Sequence, residues 1–175
     1  MNGSPDDWQL LTRIRDDTWA FQTLFEKHKD YVYRLARGFL VDPELADDAV
    51  QEVFIRLYRA KTPTYVRAQF RTWLYKVTLN TSRDLQRKHR RHQVHRAELN
   101  EASPGVSSDI GEAVDAWLDI ESVVADLPER QREVLILRYF EGLSTKETAE
   151  ILGCNEGTIK AHLHRATRAL KATFK

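Results

Sequence analysis

Residues 144–170 read "STKETAEILGCNEGTIKAHLHRATRAL", and their spacing decides the fold. Ser144 and Glu147 form an S-x-x-E capping box, which marks a helix start. That helix ends at Gly153. Asn155 is a good N-cap for a second helix running to about Ala172. The turn between them is about three residues long. Ala149 is small where two helices cross closely, Gly153 permits the turn, and Cys154, Ile159 and Leu163 are apolar positions that seal the pair. This is the spacing of a helix-turn-helix, in which the second helix lies in the DNA major groove and the first crosses the phosphate backbone. With Ile159, Leu163, Ala166 and Leu170 inward, Lys160, His164, Arg165 and Arg168 are left to face outward or flank the seam. Lys and Arg bond guanine edges or phosphates.

The same stretch invites a metal or redox reading, and the residue chemistry argues against it. Cys154 is the only cysteine of the chain. It sits in an apolar packing slot, where a lone thiol acts as a small hydrophobe. His162 and His164 are two apart and do not share a helix face. His89, His92 and His95 do stack on one face, but inside a basic block that repels a cation. No metal, cofactor or catalytic residue is expected. Adjacent acids such as Asp47 and Asp48 diverge by about 100° on a helix and cannot easily chelate one ion. A phosphate-cradling glycine loop and a catalytic triad spacing are also missing.

Working outward, the charge is strongly patterned although the 175 residues sum to +1. Between 61 and 96 there are ten basic residues (Lys61, Arg67, Arg71, Lys76, Arg83, Arg87, Lys88, Arg90, Arg91, Arg96) against Asp84 alone. Between 97 and 130, nine acids (Glu98, Glu101, Asp109, Glu112, Asp115, Asp119, Glu121, Asp126, Glu129) face Arg130 alone. Such a basic block suggests a polyanion, with nucleic acid first. The N-terminal sequence lacks the charge-then-apolar pattern of a signal peptide, and no apolar run approaches the ~18–20 residues of a membrane span. A cytoplasmic protein is expected.

Helical spacing pervades the chain, and sustained period-two alternation is not found. The segment 18–40 carries Phe21, Leu24, Phe25, Val32, Leu35 and Phe39 mostly three or four apart. "DPELADDAVQEVFIRLYRA" opens with a cap, Asp42, and Pro43 at the first helical position. Its apolar stripe is Leu45, Ala49, Val53 (or Val50, Phe54) and Leu57, with Asp47, Asp48, Gln51 and Glu52 on another face. "KTPTYVRAQF" reads as a loop after Pro63. "RTWLYKVTLNTSRDLQRKHRRHQ" resumes as a helix with Trp73, Leu74, Val77 and Leu85 inward. "NEASPGVSSD" (100–109) reads as a flexible linker. Helices are then expected over 112–126 and from Pro128 to Gly142.

At this point the sequence resembles a known family. "LPERQREVLILRYFEGLSTKETAEILGCNEGTIKAHLHRATRAL" is similar to region 4 of bacterial sigma-70-type RNA polymerase sigma factors of the extracytoplasmic-function group. "DPELADDAVQEVFIRLYRA" and "FRTWLYKVTLN" independently resemble region 2. The resemblance implies an all-α chain of two small helical domains. Residues 1–96 would be region 2, 97–111 a flexible acidic linker, and 112–175 region 4 with its helix-turn-helix. It implies core RNA polymerase (the largest-subunit clamp helices and the flap of the second-largest subunit) and promoter DNA as partners, with an anti-sigma factor as a further possible one. Membrane insertion is not expected, and neither is room for a full region 3 or an acidic N-terminal inhibitory region.

By the same resemblance, the −35 element would meet Arg138, Ser144, Thr145, Thr158, Lys160, His164, Arg165 and Arg168. The −10 element would meet Lys61, Tyr65, Arg71, Asn80, Arg83, Arg87, Lys88 and Arg91. Polymerase would meet Asp47, Asp48, Gln51, Glu52, Phe54 and Arg56. The linker acids Glu98, Glu101 and Asp109 would pass through polymerase near the RNA exit path. The competing reading is a stand-alone helix-turn-helix regulator that binds DNA without polymerase.

Overall fold

The computed structural model describes residues 6–60, 70–99 and 124–173, and every regular element among them is helical. The chain divides into two compact units, Met1–Lys88 and His89–Lys175.

The first unit begins with α1 (Asp7–Arg13), a short helix the periodicity did not reveal. Seven residues are too few to display a 3.6-residue repeat, and such a helix owes its stability to packing. Leu10, Leu11 and Ile14 supply it by burying themselves in the core. Asp7 anchors the start, accepting from Lys27 Nζ at 2.6 Å and lying 3.1 Å from His28 Nε2. Burial pushes the His28 imidazole below its ordinary pKa, with the Asp7 carboxylate opposing that shift.

Helix α2 (Thr18–Leu40) starts where Asp17 accepts from the Trp19 and Ala20 amides. Helix α3 (Pro43–Arg59) starts at Asp42, which accepts from Glu44 and Leu45, with Pro43 in the first turn as expected. Its buried line is Ala46, Ala49, Val53, Phe54 and Leu57, while Leu45 is only half-buried. The core joins Leu24 and Val32 of α2, Val53, Phe54 and Leu57 of α3, and Phe70 and Leu74 of α4 (Phe70–Leu99). Trp8 meets Phe70 edge-on at 5.1 Å, and Phe25 meets Phe54 at 4.7 Å.

Helix α4 begins with Phe70, one residue earlier than the sequence suggested, and continues to Leu99, into the expected linker. Its buried face holds Leu74, Tyr75, Thr78, Leu79, Thr81 and Ser82, whereas Leu85 stays half-buried. Hydroxyl residues disguised this face. Thr78 resolves its polarity by donating to the Leu74 carbonyl at 2.9 Å. The loop at 61–69, the linker at 100–111 and most of the helix expected over 112–126 lie outside the described residues.

In the second unit, Pro128 precedes α5 (Glu129–Leu135). The sequence reading carried this helix unbroken to Gly142. Instead the chain widens into a π-helical turn over Ile136–Phe140, with Glu141 N–H donating to the Ile136 carbonyl at 3.0 Å. The wider turn keeps Ile136 and Leu137 in the core and leaves Tyr139 and Phe140 exposed. Helices α6 (Thr145–Leu152) and α7 (Glu156–Thr173) follow. Arg132 is buried and donates from Nη1 to the Ala125 carbonyl at 3.0 Å, which ties the segment before α5 to that helix.

Candidate nucleic-acid interface

The α6–turn–α7 pair is built by reciprocal capping. Ser144 Oγ accepts from the Glu147 amide at 3.2 Å, and Glu147 Oε2 accepts from the Ser144 amide at 2.8 Å. These bonds to Ser144 hold the Glu147 carboxyl below its ordinary pKa. Gly153 closes α6 in the left-handed region at φ 66°, where an L side chain is strained. Cys154 N–H then donates to the Ala149 carbonyl at 3.1 Å. Asn155 Oδ1 accepts from both the amide (2.8 Å) and the hydroxyl (3.0 Å) of Thr158. A Cβ at Gly157 would lie 3.2 Å from that same oxygen, so glycine leaves room for the cap.

The seam matches the sequence expectation. Val134, Ala149 and Ile159 are buried together, with Leu152, Cys154 and Leu163 packed on them. Ala166 joins Val124, Leu127 and Leu135, with Leu163 and Leu170 alongside. Lys160, His164, Arg165 and Arg168 are all exposed on the opposite side of α7. His162 departs from that face. It is half-buried, and its Nδ1 is shielded from solvent with no hydrogen-bond partner among the described residues. Ser144 and Thr158 spend their hydroxyls on caps. Thr145 is half-exposed. Arg138 turns its Nη1 back onto the Leu143 carbonyl, so it shapes the loop leading into α6.

In the first unit, Asp47, Asp48 and Gln51 are exposed along α3. Phe54, expected from the resemblance to meet polymerase, is only 3% exposed and packs on Phe25. It belongs to the core, because position 54 falls on the Ala46–Val53–Leu57 side of the helix. The outward line continues instead through Ile55 and Tyr58, which are 41% and 46% exposed. Both lie at helical spacing from Gln51. That spacing was the signal in the sequence, but an isoleucine and a tyrosine do not by themselves mark a surface position.

Glu52 and Arg56 are engaged within the unit. Arg56 Nε donates to Glu52 at 2.8 Å and its Nη1 to Asp84 at 3.1 Å, while Asp84 also accepts from Arg87 at 2.7 Å. The bond that Arg56 donates to Glu52, aided by the one it donates to Asp84, raises the Arg56 pKa against the opposing effect of burial. Arg56 and Asn80 line one cleft of about 230 Å³, together with Leu57, Ala60, Trp73 and Val77. Trp73, expected inward, is half-buried and forms part of this wall.

Of the other residues expected at the −10 element, Arg71 lies over the Tyr31 ring at 4.6 Å. Arg87, Lys88 and Arg91 are exposed on α4, and Arg83 is half-buried. Lys61 and Tyr65 lie outside the described residues. Arg15 was not anticipated. It donates to the carbonyls of Tyr58 (3.0 Å), Arg59 (2.6 Å) and Ala60 (3.2 Å), at the C-terminal end of α3 where helical carbonyls need partners from outside the helix, at the edge of the cleft. None of the helices of the described residues is long and apolar enough to cross a membrane.

Comparison with known proteins gives a consistent assignment for both units. Residues 24–92 match the family Sigma-70 region 2, and residues 117–170 match Sigma-70, region 4. The chain is 32% identical to the RNA polymerase sigma-H factor of Pseudomonas aeruginosa, over 94% of this chain and 91% of that protein. It is 31% identical to the ECF RNA polymerase sigma factor SigW of Bacillus subtilis, covering 90% of each. Among solved structures, CnrH in complex with the cytosolic domain of CnrY matches with a TM-score of 0.65 at 25% identity, over 96% of each chain. The fold also matches the sigma factor RpoE of Bartonella quintana, solved with the anti-sigma factor NepR. There the TM-score is 0.71 at 22% identity, over 88% of this chain and 96% of that one.

Proposed function

This chain belongs to the sigma-70 family of RNA polymerase sigma factors, in its extracytoplasmic-function group, and we propose that it works as one. It is a transcription initiation factor that binds core RNA polymerase in the cytoplasm and directs it to promoters. The role is one of binding and positioning, and the phosphodiester chemistry belongs to the polymerase. The observation that carries the reading is the pairing of two matched regions, in family order, on two separately packed helical units. A stand-alone regulator would account for the helix-turn-helix but not for the region 2 match.

Within this reading, residues 1–96 carry the −10 and polymerase functions and 112–175 the −35 function. The exposed acids Asp47 and Asp48 and the amide Gln51, continued by Ile55 and Tyr58, offer polymerase a mixed acidic, polar and apolar face. The cleft between α3 and α4 is smaller than the roughly 300–1,000 Å³ of ordinary ligand pockets. Trp73 supplies an aromatic wall, and Arg56 and Asn80 supply hydrogen-bonding groups. That combination suits a single unstacked base of the melted −10 strand. Lys160, His164, Arg165 and Arg168 on α7 supply the reading and phosphate-contacting face for the −35 duplex. The relatives solved with CnrY and NepR support an anti-sigma factor as a further partner.

In vitro transcription with core polymerase on a randomised promoter library tests the proposal. Adding the chain should give initiation from a subset sharing −10 and −35 motifs, while the chain alone should bind those duplexes weakly. Tight binding without polymerase, with no stimulated initiation, would assign it to the regulator class instead.

A further inference from the structure

The centre of the outward face of α7 is occupied by a residue that carries no charge. With 3.6 residues per turn, Ala161 lies diametrically opposite the line of Ile159, Leu163, Ala166 and Leu170 that seals the helix to its unit. Ala161 is exposed, and His164, Arg165 and Arg168, within two turns of it, are exposed around it. A helix that enters the major groove with its sealed line toward its own unit brings the opposite line closest to the base edges. Ala161 also lies in the N-terminal half of α7, the half of a recognition helix that reaches bases.

Alanine brings no side-chain donor or acceptor, and in a helix interior its backbone groups are already used. What it offers a base edge is a methyl group. Among the four bases, the apolar feature displayed in the major groove is the C5-methyl of thymine. A larger residue at position 161 would hold the helix away from the groove floor. A polar one would require a hydrogen-bond partner there.

We propose that Ala161 is a specificity-determining residue that selects a thymine in the −35 element by contact between its methyl group and the thymine methyl. Arg165, one turn on, supplies the hydrogen-bonded reading beside it. This rests on the assignment of α7 as the −35 reader.

The test uses reconstituted holoenzyme and promoter duplexes in which each −35 thymine is replaced in turn by deoxyuridine, which removes the methyl alone. At one position the replacement should weaken wild-type binding about fourfold, the factor one buried methyl is worth. The A161G variant should lose sensitivity at that position and keep it elsewhere. Glycine weakens a helix, so A161S serves as a second variant, and its hydroxyl should likewise abolish the effect. The ratio of thymine to deoxyuridine affinity is taken within each variant, which cancels any general loss of binding. The proposal is overturned if no position is sensitive, or if wild type and both variants respond alike. The underlying assignment fails separately, by a different result: Arg165→Ala and a scrambled −35 element would both leave promoter binding unchanged.

Discussion

Val41 sits at φ 57° and ψ −44°, with the Asp42 amide donating back to the Leu40 carbonyl. This is a γ-turn of the strained hand, and a β-branched residue adopts it at a cost of about 1–3 kcal/mol. The strain persists because Leu40 must stay in the core while Asp42 caps the next helix. Val41 itself is exposed, so Val41→Gly loses little burial. It should stabilise the first unit by about 1 kcal/mol net of glycine's greater unfolded-state entropy, read as a higher urea midpoint. A lower midpoint would place the strain elsewhere. His28 gives a second prediction. Its folded pKa is depressed by burial, so the unfolded chain binds the proton more tightly. Stability should therefore decline as pH falls from about 6.5 toward the folded value. His28→Gln should flatten that slope in urea titrations between pH 7 and 5; an unchanged slope would exonerate the imidazole.

At the level of elements, the short helix α6 depends on its ends. Its eight residues are too few for intrinsic stability, so the Ser144–Glu147 box at one end and left-handed Gly153 at the other define it. Ser144→Ala should cost about 1 kcal/mol, the usual loss for an N-cap, and should weaken −35 recognition by loosening the approach to α7. Differential scanning calorimetry and promoter binding would measure both. The Glu147 carboxylate, held below its ordinary pKa by Ser144, supports the box at pH values above the unfolded carboxylate range. That support should disappear as pH falls through its folded pKa. The acid-limb slope of wild type should exceed that of Ser144→Ala, and equal slopes would detach the carboxylate from the cap. This element was legible because capping and turn chemistry are local. The π-helical turn at Ile136–Phe140 was not legible, because "ILRYF" fits an α-helix equally well and the wider turn emerges from burying Leu137 while the chain turns toward Gly142.

On the scale of the whole molecule, two separately packed units imply two stabilities. Leu57→Ala opens a cavity at a fully buried position of the first unit, and Ile159→Ala does the same in the second. Each should cost about 2–5 kcal/mol. Hydrogen exchange should show protection lost in the mutated unit alone, and loss throughout would indicate a single cooperative fold. Charge reversal of Asp48→Arg, at an exposed position, should weaken core polymerase binding with an unchanged thermal midpoint; intact binding would remove the α3 face from the interface. The amino-acid sequence by itself determined the helical class, the helix-turn-helix, its caps and its outward basic line. Periodicity, caps and turn residues act within a few positions, and a 3.6-residue repeat states directly which side faces solvent. Only the tertiary structure decided that α1 is a helix, that Phe54 is core while Ile55 and Tyr58 are surface, that His162 is half-buried with a shielded Nδ1, and that Arg56, Trp73 and Asn80 share a cleft. Each of these depends on atoms brought together from segments far apart in the chain, where burial and hydrogen-bond satisfaction override what any local pattern can specify.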